Sequence, residues 1–498
     1  MSARSGPARR KSRIGLRSAL VLSLGAALLT VPAPATAHPT LSWGSCPAPA
    51  PGQFRHPRLE CATVRAPLDY RKPKGERLTV TISRIPAASA AARRGVLLTN
   101  PGGPGERGLD HPGKLTLVMP AEVLDRYDLV GMDPRGVGES SPISCGIDPA
   151  TTSDLALPYP APDGSIARNI AYARATAAGC AEHSGATLAH ITTANTARDM
   201  DLIRAALGER RISYFGASYG TYLGTVYRAL FPHRVDRMVL DSALDPRLVW
   251  RETWRSWNVS VPVRLPDFTG WLAARNDTYG FGATVDEVTR RYLALVARLD
   301  RDPVELPDGT AVNGNQVREF TRAVLVDDAT FPTLAQVWQS FDAGSGTPLA
   351  GPTDDNFMSA FSAISCNDAA WPRNPSRYAL DVAADRRRYP LTAGMPANIW
   401  PCAFWPHQPL EPPVTVTSGG RRNVLIMHQT RDPAVRLSAA QGLRTLLGNA
   451  AVLITVDGGG HLTFGRGSCA DAITVTFLLT GTLPTRDRTC AVPTPPAA

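Results

Sequence analysis

Several stretches of the chain are apolar at nearly every position. Gly95-Val96-Leu97-Leu98-Thr99-Asn100 is one, and Tyr127-Asp128-Leu129-Val130-Gly131-Met132-Asp133 is another. A strand apolar on both faces is buried on both faces, so these runs predict the middle of a sheet. Residues 61–68 and 78–85 are β-rich and more mixed, and predict an antiparallel opening. Residues 196–207 put Met200, Ile203 and Leu207 on one helical face, with Gly208 suited to the C-cap. A strand from Ile212 follows, then a helix over 221–230, then a strand over 235–240 that ends at Asp241. This alternation predicts parallel strands joined by crossover helices.

The pattern changes after Pro246. Trp250, Trp254, Trp257, Phe268 and Trp271 make an aromatic-rich stretch, read as subdomain core before substrate box. Residues 285–299 align Val288, Tyr292, Leu295 and Leu299 at helical spacing, and no buried-strand run returns before Asn423. The β/α pattern then resumes with strands at 423–428 and 451–456 and helices at 437–447 and 470–479. The expected division is a leader over 1–37, a first core part over 38–246, a mostly helical insertion over 247–415, and a second core part over 416–498. The stretch after Cys490 reads as a loose tail.

Composition alters this picture in two places. The first is the N-terminus. Arg4, Arg9, Arg10, Lys11, Arg13 and Arg17 precede an apolar run that ends near Thr30, and Ala35-Thr36-Ala37 fits a small-x-small cleavage site. The run is short for a membrane span and is broken by Pro32 and Pro34. A secreted protein cleaved near Ala37 is expected, with the export route open and no stable membrane association. Six of the positive charges behind the formal +10 lie in this leader. The remainder has no basic cluster interleaved with aromatics, so nucleic acid is not an expected partner.

The second place is cysteine. Cys46, Cys61, Cys145, Cys180, Cys366, Cys402, Cys469 and Cys490 make an even set behind an export signal, which predicts disulfides. Many pairings are open; joining neighbours along the chain is the simplest. No Cys-x2-Cys or Cys/His cluster suggests a metal, and none is expected.

The candidate chemistry centres on Gly216-Ala217-Ser218-Tyr219-Gly220. A Gly-x-Ser-x-Gly run between a strand and a helix is a nucleophile elbow, with glycines where strand and helix approach closely. A serine hydroxyl needs a base, and the base an orienting carboxylate, in chain order Ser, Asp or Glu, His. Asp432 follows the 423–428 strand, and His461 follows the 451–456 strand behind Asp457-Gly458-Gly459-Gly460. These are the first choices. Asp241 is the second choice for the acid; Asp457 is too close to His461, and Asp133 reads as loop-fixing. His428 and His233 read as structural. The backbone N–H of Tyr219 is one expected oxyanion donor. The loop Asn100-Pro101-Gly102-Gly103-Pro104-Gly105 offers the second, at Gly103 before Gly102.

Taken together these motifs resemble the secreted α/β-hydrolase serine peptidases of the tripeptidyl aminopeptidase type, relatives of the prolyl aminopeptidases. Cys61-Ala62-Thr63-Val64, Pro67-Leu68-Asp69-Tyr70, the Asn100–Gly105 loop, Asp133-Pro134-Arg135-Gly136-Val137-Gly138, the elbow, Ser365-Cys366-Asn367-Asp368 and the Asp432 and His461 loops carry the resemblance. It implies an α/β fold of the hydrolase type, a mostly parallel central sheet with helices on both faces and an inserted helical cap. It implies a cofactor-free enzyme that releases short peptides from free N-termini; a monomer is expected. It also supports Ser218, Asp432 and His461 as the triad and the paired cysteines as structural. Two departures stand out: Glu106-Arg107 replace the usual small residue and serine, and Ala434-Val435-Arg436 follow Asp432-Pro433. An exopeptidase must hold a substrate ammonium, for which Glu106 and Asp368 are the candidates. A carboxylesterase or lipase-like hydrolase on the same triad is the alternative, and a silent secreted binding protein the third.

Overall fold

The computed structural model describes residues 41–49, 54–349 and 351–492. The expected leader and its cleavage point at Ala37 lie outside them. Ten strands form one sheet among the described residues: β1 (Gly44–Ser45), β2 (Glu60–Pro67), β3 (Arg77–Ile85), β4 (Gly95–Asn100), β5 (Tyr127–Met132), β6 (Ile212–Ala217), β7 (Val235–Asp241), β10 (Val424–Arg431), β11 (Ala451–Gly459) and β12 (Arg488–Ala491). Two more, β8 (Val304–Glu305) and β9 (Ala311–Val312), form a separate ribbon. The sheet order is β1-β2-β3-β5-β4-β6-β7-β10-β11-β12. β1, β2 and β3 open it antiparallel, β3 runs antiparallel to β5, and all later pairs are parallel.

The central strands are buried at every residue, as their unbroken apolar runs predict. Successive side chains point to opposite faces. Phe215, Val239 and Leu425 pack on one side with Phe477 and Leu478 of the helix Cys469–Thr480. Tyr214, Met238 and Ile426 pack on the other with Met200 and Ile203 of the helix Thr193–Ala206 and Leu223 and Val226 of the helix Tyr219–Leu230.

Between β7 and β10 the regular structure among the described residues is helical apart from the β8–β9 ribbon. The helix Val285–Arg301 buries Val288, Tyr292, Leu295 and Leu299, the stripe its periodicity predicts. The tryptophans are mainly packing: Trp250 stacks on Trp254 with ring centroids 5.3 Å apart, and Trp338 on Tyr292 at 4.1 Å. Trp271 is the partly exposed member and lines a separate cavity. Two of the elements that the sequence reading did not anticipate bear on the sheet and its packing. The helix Ala167–Ser184 was not expected, and the chain adds β12 to the sheet edge before the tail.

The cysteines pair as 46–61, 145–180, 366–402 and 469–490, the neighbour pairing. In the loop after β5, Arg135 is wholly buried and ion-pairs with Asp199 at 2.6 Å. It also donates to the carbonyls of Pro67, Leu68 and His190, clamping the opening strands to the helix Thr193–Ala206.

Candidate active site

β6 ends in a turn that only small residues allow. A Cβ on Gly216 would stand 2.4 Å from Gly220 O, and one on Gly220 would stand 2.8 Å from Asn100 O. Ser218 sits between them at φ 54° and ψ −122°, a strained conformation of the kind found where a sharp strand-to-helix turn exposes a side chain. The helix begins immediately after it, at Tyr219 rather than at Thr221. The Tyr219 N–H therefore belongs to a first helical turn, where backbone donors lack intrahelical partners.

The loop after β4 lies against this elbow. A Cβ on Gly102 would meet Ala217 O at 2.8 Å and Ser218 Cβ at 2.9 Å. The Gly102 N–H donates to Asn100 Oδ1 at 3.1 Å. Among the described residues, neither Gly103 N–H nor Tyr219 N–H has a protein acceptor. Asp133 holds the loop's far side, accepting from Gly108 N at 2.7 Å, Leu109 N at 3.2 Å and Glu139 N at 2.9 Å. That is the loop-fixing arrangement its position suggests.

Asp432 and His461 come together from separate strands. His461 Nδ1 lies 3.1 and 2.9 Å from the two carboxylate oxygens of Asp432. The same carboxylate accepts from Ala434 N at 2.8 Å and Val435 N at 2.9 Å. Asp432 is buried, which by itself favours its neutral form. The charge and hydrogen bond of His461, helped by His428 and Val435 N–H, outweigh this and hold its pKa below the ordinary value. Burial likewise disfavours the charged form of His461, but Asp432 and then Asp241 raise its pKa, with Arg466 opposing. Nδ1 must carry a proton toward the carboxylate, which leaves Nε2 as the basic atom.

The remaining candidates fall into place differently. Asp241 is buried with its carboxylate given to the backbone N–H groups of Thr463 and Phe464. Asp457 is exposed and pairs with Arg431. His428 is buried with Nε2 2.9 Å from Val435 O, and His233 is exposed.

Asp368 accepts from Thr193 N at 2.8 Å, Thr193 Oγ1 at 2.6 Å and Trp250 Nε1 at 3.1 Å. Burial raises its pKa to about 6 against these donors. Its oxygens are committed to holding Thr193, whose hydroxyl also touches Tyr219 Oη at 2.9 Å. Glu106 is different. It lines a cavity of about 330 Å³ with Gly105, Asp133, Asp354 and Phe357, and its carboxylate has no hydrogen-bond or ion-pair partner among the described residues. The side chain is itself exposed at the cavity; the protein around it raises its pKa only against solvent, with Lys114 opposing and Asp354 assisting. Ser218, Asp432 and His461 do not line this cavity, which abuts the far end of the Gly102–Gly103 loop.

Sequence reasoning missed the supports supplied by the helical insert. Val326 O accepts the His461 N–H at 2.8 Å. Ser260 Oγ donates to Pro433 O at 2.7 Å, and Trp257 Nε1 to Ala434 O at 2.9 Å. A backbone carbonyl carries no sequence signature, and the two side chains lie more than 170 residues from their acceptors.

The comparisons agree with this architecture. Residues 95–467 match the family model described as alpha/beta hydrolase fold. The chain is 35% identical over 475 residues to the tripeptidyl aminopeptidase of Streptomyces lividans, covering 91% of this chain and 86% of that protein. It is 30% identical over 469 residues to the serine protease Hip1 of Mycobacterium tuberculosis, covering 86% and 87%. It is 33% identical over 481 residues to the carboxylesterase B of Mycobacterium tuberculosis, covering 91% and 90%. With the parallel sheet, the elbow after β6 and a family match over most of its length, this chain belongs to the alpha/beta hydrolase fold family.

Proposed function

We propose that this protein is a secreted serine aminopeptidase that releases tripeptides or other short units from free N-termini. The observation that carries the reading is the His461–Asp432 pair, hydrogen-bonded on loops after β10 and β11, in a chain whose elbow holds Ser218 in strained geometry. The relatives named as a tripeptidyl aminopeptidase and a serine protease support the peptide substrate.

In this reading Ser218 Oγ attacks the scissile carbonyl carbon and His461 Nε2 takes its proton. The carbonyl oxygen becomes an alkoxide facing the N–H groups of Tyr219 and Gly103. His461 then protonates the leaving amine, and the C–N bond breaks to leave an acyl-Ser218 ester. Water, deprotonated by His461, hydrolyses the ester and restores the serine. Asp432 keeps the imidazole oriented and stabilises its charged form.

Glu106 is our candidate for the substrate ammonium, since Asp368 is occupied by Thr193 and Trp250. Residues 247–415 serve as the cap over the site. The four disulfides favour an oxidising compartment, in keeping with export. The protein acts as a monomer without a cofactor.

The esterase reading stays in view because one relative is named a carboxylesterase. A fluorogenic tripeptide amide with a free N-terminus, its N-acetylated counterpart and a simple ester separate the two. Cleavage of the free amide well above the acetylated one supports the aminopeptidase. Turnover of the ester with neither amide cleaved supports the esterase.

A further inference from the structure

Asp241 ends β7, between the strand that leads to the nucleophile and the strand that leads to the acid. It is in register with Ala217 on β6 and with Met427 on β10. Its carbonyl oxygen accepts the Ser218 N–H at 2.8 Å. Its carboxylate accepts from Thr463 N at 2.8 and 3.0 Å and from Phe464 N at 2.9 Å. The next residue, Ser242, donates its N–H to Met427 O at 2.9 Å and accepts the Leu462 N–H on its Oγ at 2.9 Å. One dipeptide therefore grips the nucleophile on one side and three consecutive N–H groups after His461 on the other.

We infer that Asp241 is a positioning residue for the reaction, one that fixes the His461 loop relative to Ser218 and lends a second negative charge to the imidazolium formed in the transition state. This rests on the reading of Ser218 and His461 given above. Asp241 is not the triad acid, because its oxygens are engaged by backbone donors and His461 Nδ1 is engaged by Asp432. No arginine or lysine pairs with it among the described residues; burial raises its pKa, and the N–H groups of Phe464 and Thr463 and the charge of His461 favour its ionised form against that. The charged and titratable groups that bear on His461 are Asp432 and Asp241, which favour its protonated form, and Arg466 and His428, which carry or can acquire positive charge. Removing the Asp241 charge favours the neutral imidazole, so the base then stays competent to lower pH.

The test is the pH dependence of Ser218 modification by a small uncharged fluorophosphonate, which needs the base but neither the substrate ammonium nor Glu106. In Asp241→Asn, the plateau rate is expected to fall about 10²-fold through misplacement, with the acid limb moved to lower pH. Ser242→Ala loosens the same loop without removing a charge, and its limb is expected to stay at the wild-type position. An Asp241→Asn limb that does not move, whether or not the rate falls, overturns the inference. If the asparagine variant does not fold, by circular dichroism, Asp241→Glu replaces it. That variant keeps the charge, so a reduced plateau with an unmoved limb supports the inference and a displaced limb overturns it. A wild-type protein that does not react at Ser218 overturns the triad reading, and this inference with it.

Discussion

The His461 N–H donates to Val326 O at 2.8 Å, so the helical insert and not the sheet alone fixes the height of the imidazole. Gly460, just before it, has φ +107°, and a Cβ there would stand 2.8 Å from the same carbonyl. Gly460→Ala is therefore expected to push the loop off the insert. Displacing a base by about 1 Å costs on the order of 10²-fold. Steady-state kinetics on the free tripeptide amide should show that loss in kcat with little change in KM.

In the proposed mechanism His461 must be neutral to accept the serine proton. Burial lowers its pKa, but Asp432 and Asp241 outweigh burial and raise it above the ordinary 6.5. Protonation at low pH thus removes the base, and activity returns as pH rises through the raised value. The acid limb of kcat/KM is expected above pH 6.5; a limb centred below it contradicts the balance of charges described for the site.

Glu106→Gln tests the proposed amine recognition apart from the chemistry. A hydrogen bond to a charged group contributes about 1.5–3 kcal/mol, so kcat/KM for the free amide should fall about 10- to 100-fold. Fluorophosphonate labelling of Ser218 should be unchanged. Equal loss on the N-acetylated amide would place Glu106 outside amine binding.

Arg135→Met tests the fold rather than the reaction. It leaves Asp199 buried with only Tyr70 Oη, at 2.7 Å, as a side-chain donor. Breaking one side of a buried pair costs about 3–5 kcal/mol, which thermal or urea unfolding would read directly. Arg135→Met combined with Asp199→Leu should recover part of that loss.

The parts of this molecule that were legible in the sequence are those encoded locally. β4 and β5 announce themselves because strands buried on both faces must be apolar throughout. The elbow is legible because close approach of β6 and its helix excludes side chains at positions 216 and 220. The Asp432–His461 pair is legible as a candidate because each residue follows a predicted strand. What was not legible depends on partners far away in the chain. Asp368 is visibly an acid, but its engagement with Thr193 and Trp250 spans 175 and 118 residues. β12 buries only Cys490 of its four residues, so it has no strand pattern, and its parallel pairing with β11 supplies what its composition does not. The helix Ala167–Ser184 is rich in alanine and buries small side chains, which blurs its apolar stripe.

The most direct test is the kcat of Ser218→Ala on a fluorogenic tripeptide amide with a free N-terminus, beside wild type, with both proteins shown to have the same melting behaviour. If Ser218, His461 and Asp432 act as a unit, kcat should fall on the order of 10⁶-fold. A variant that keeps a rate near wild type would contradict the account.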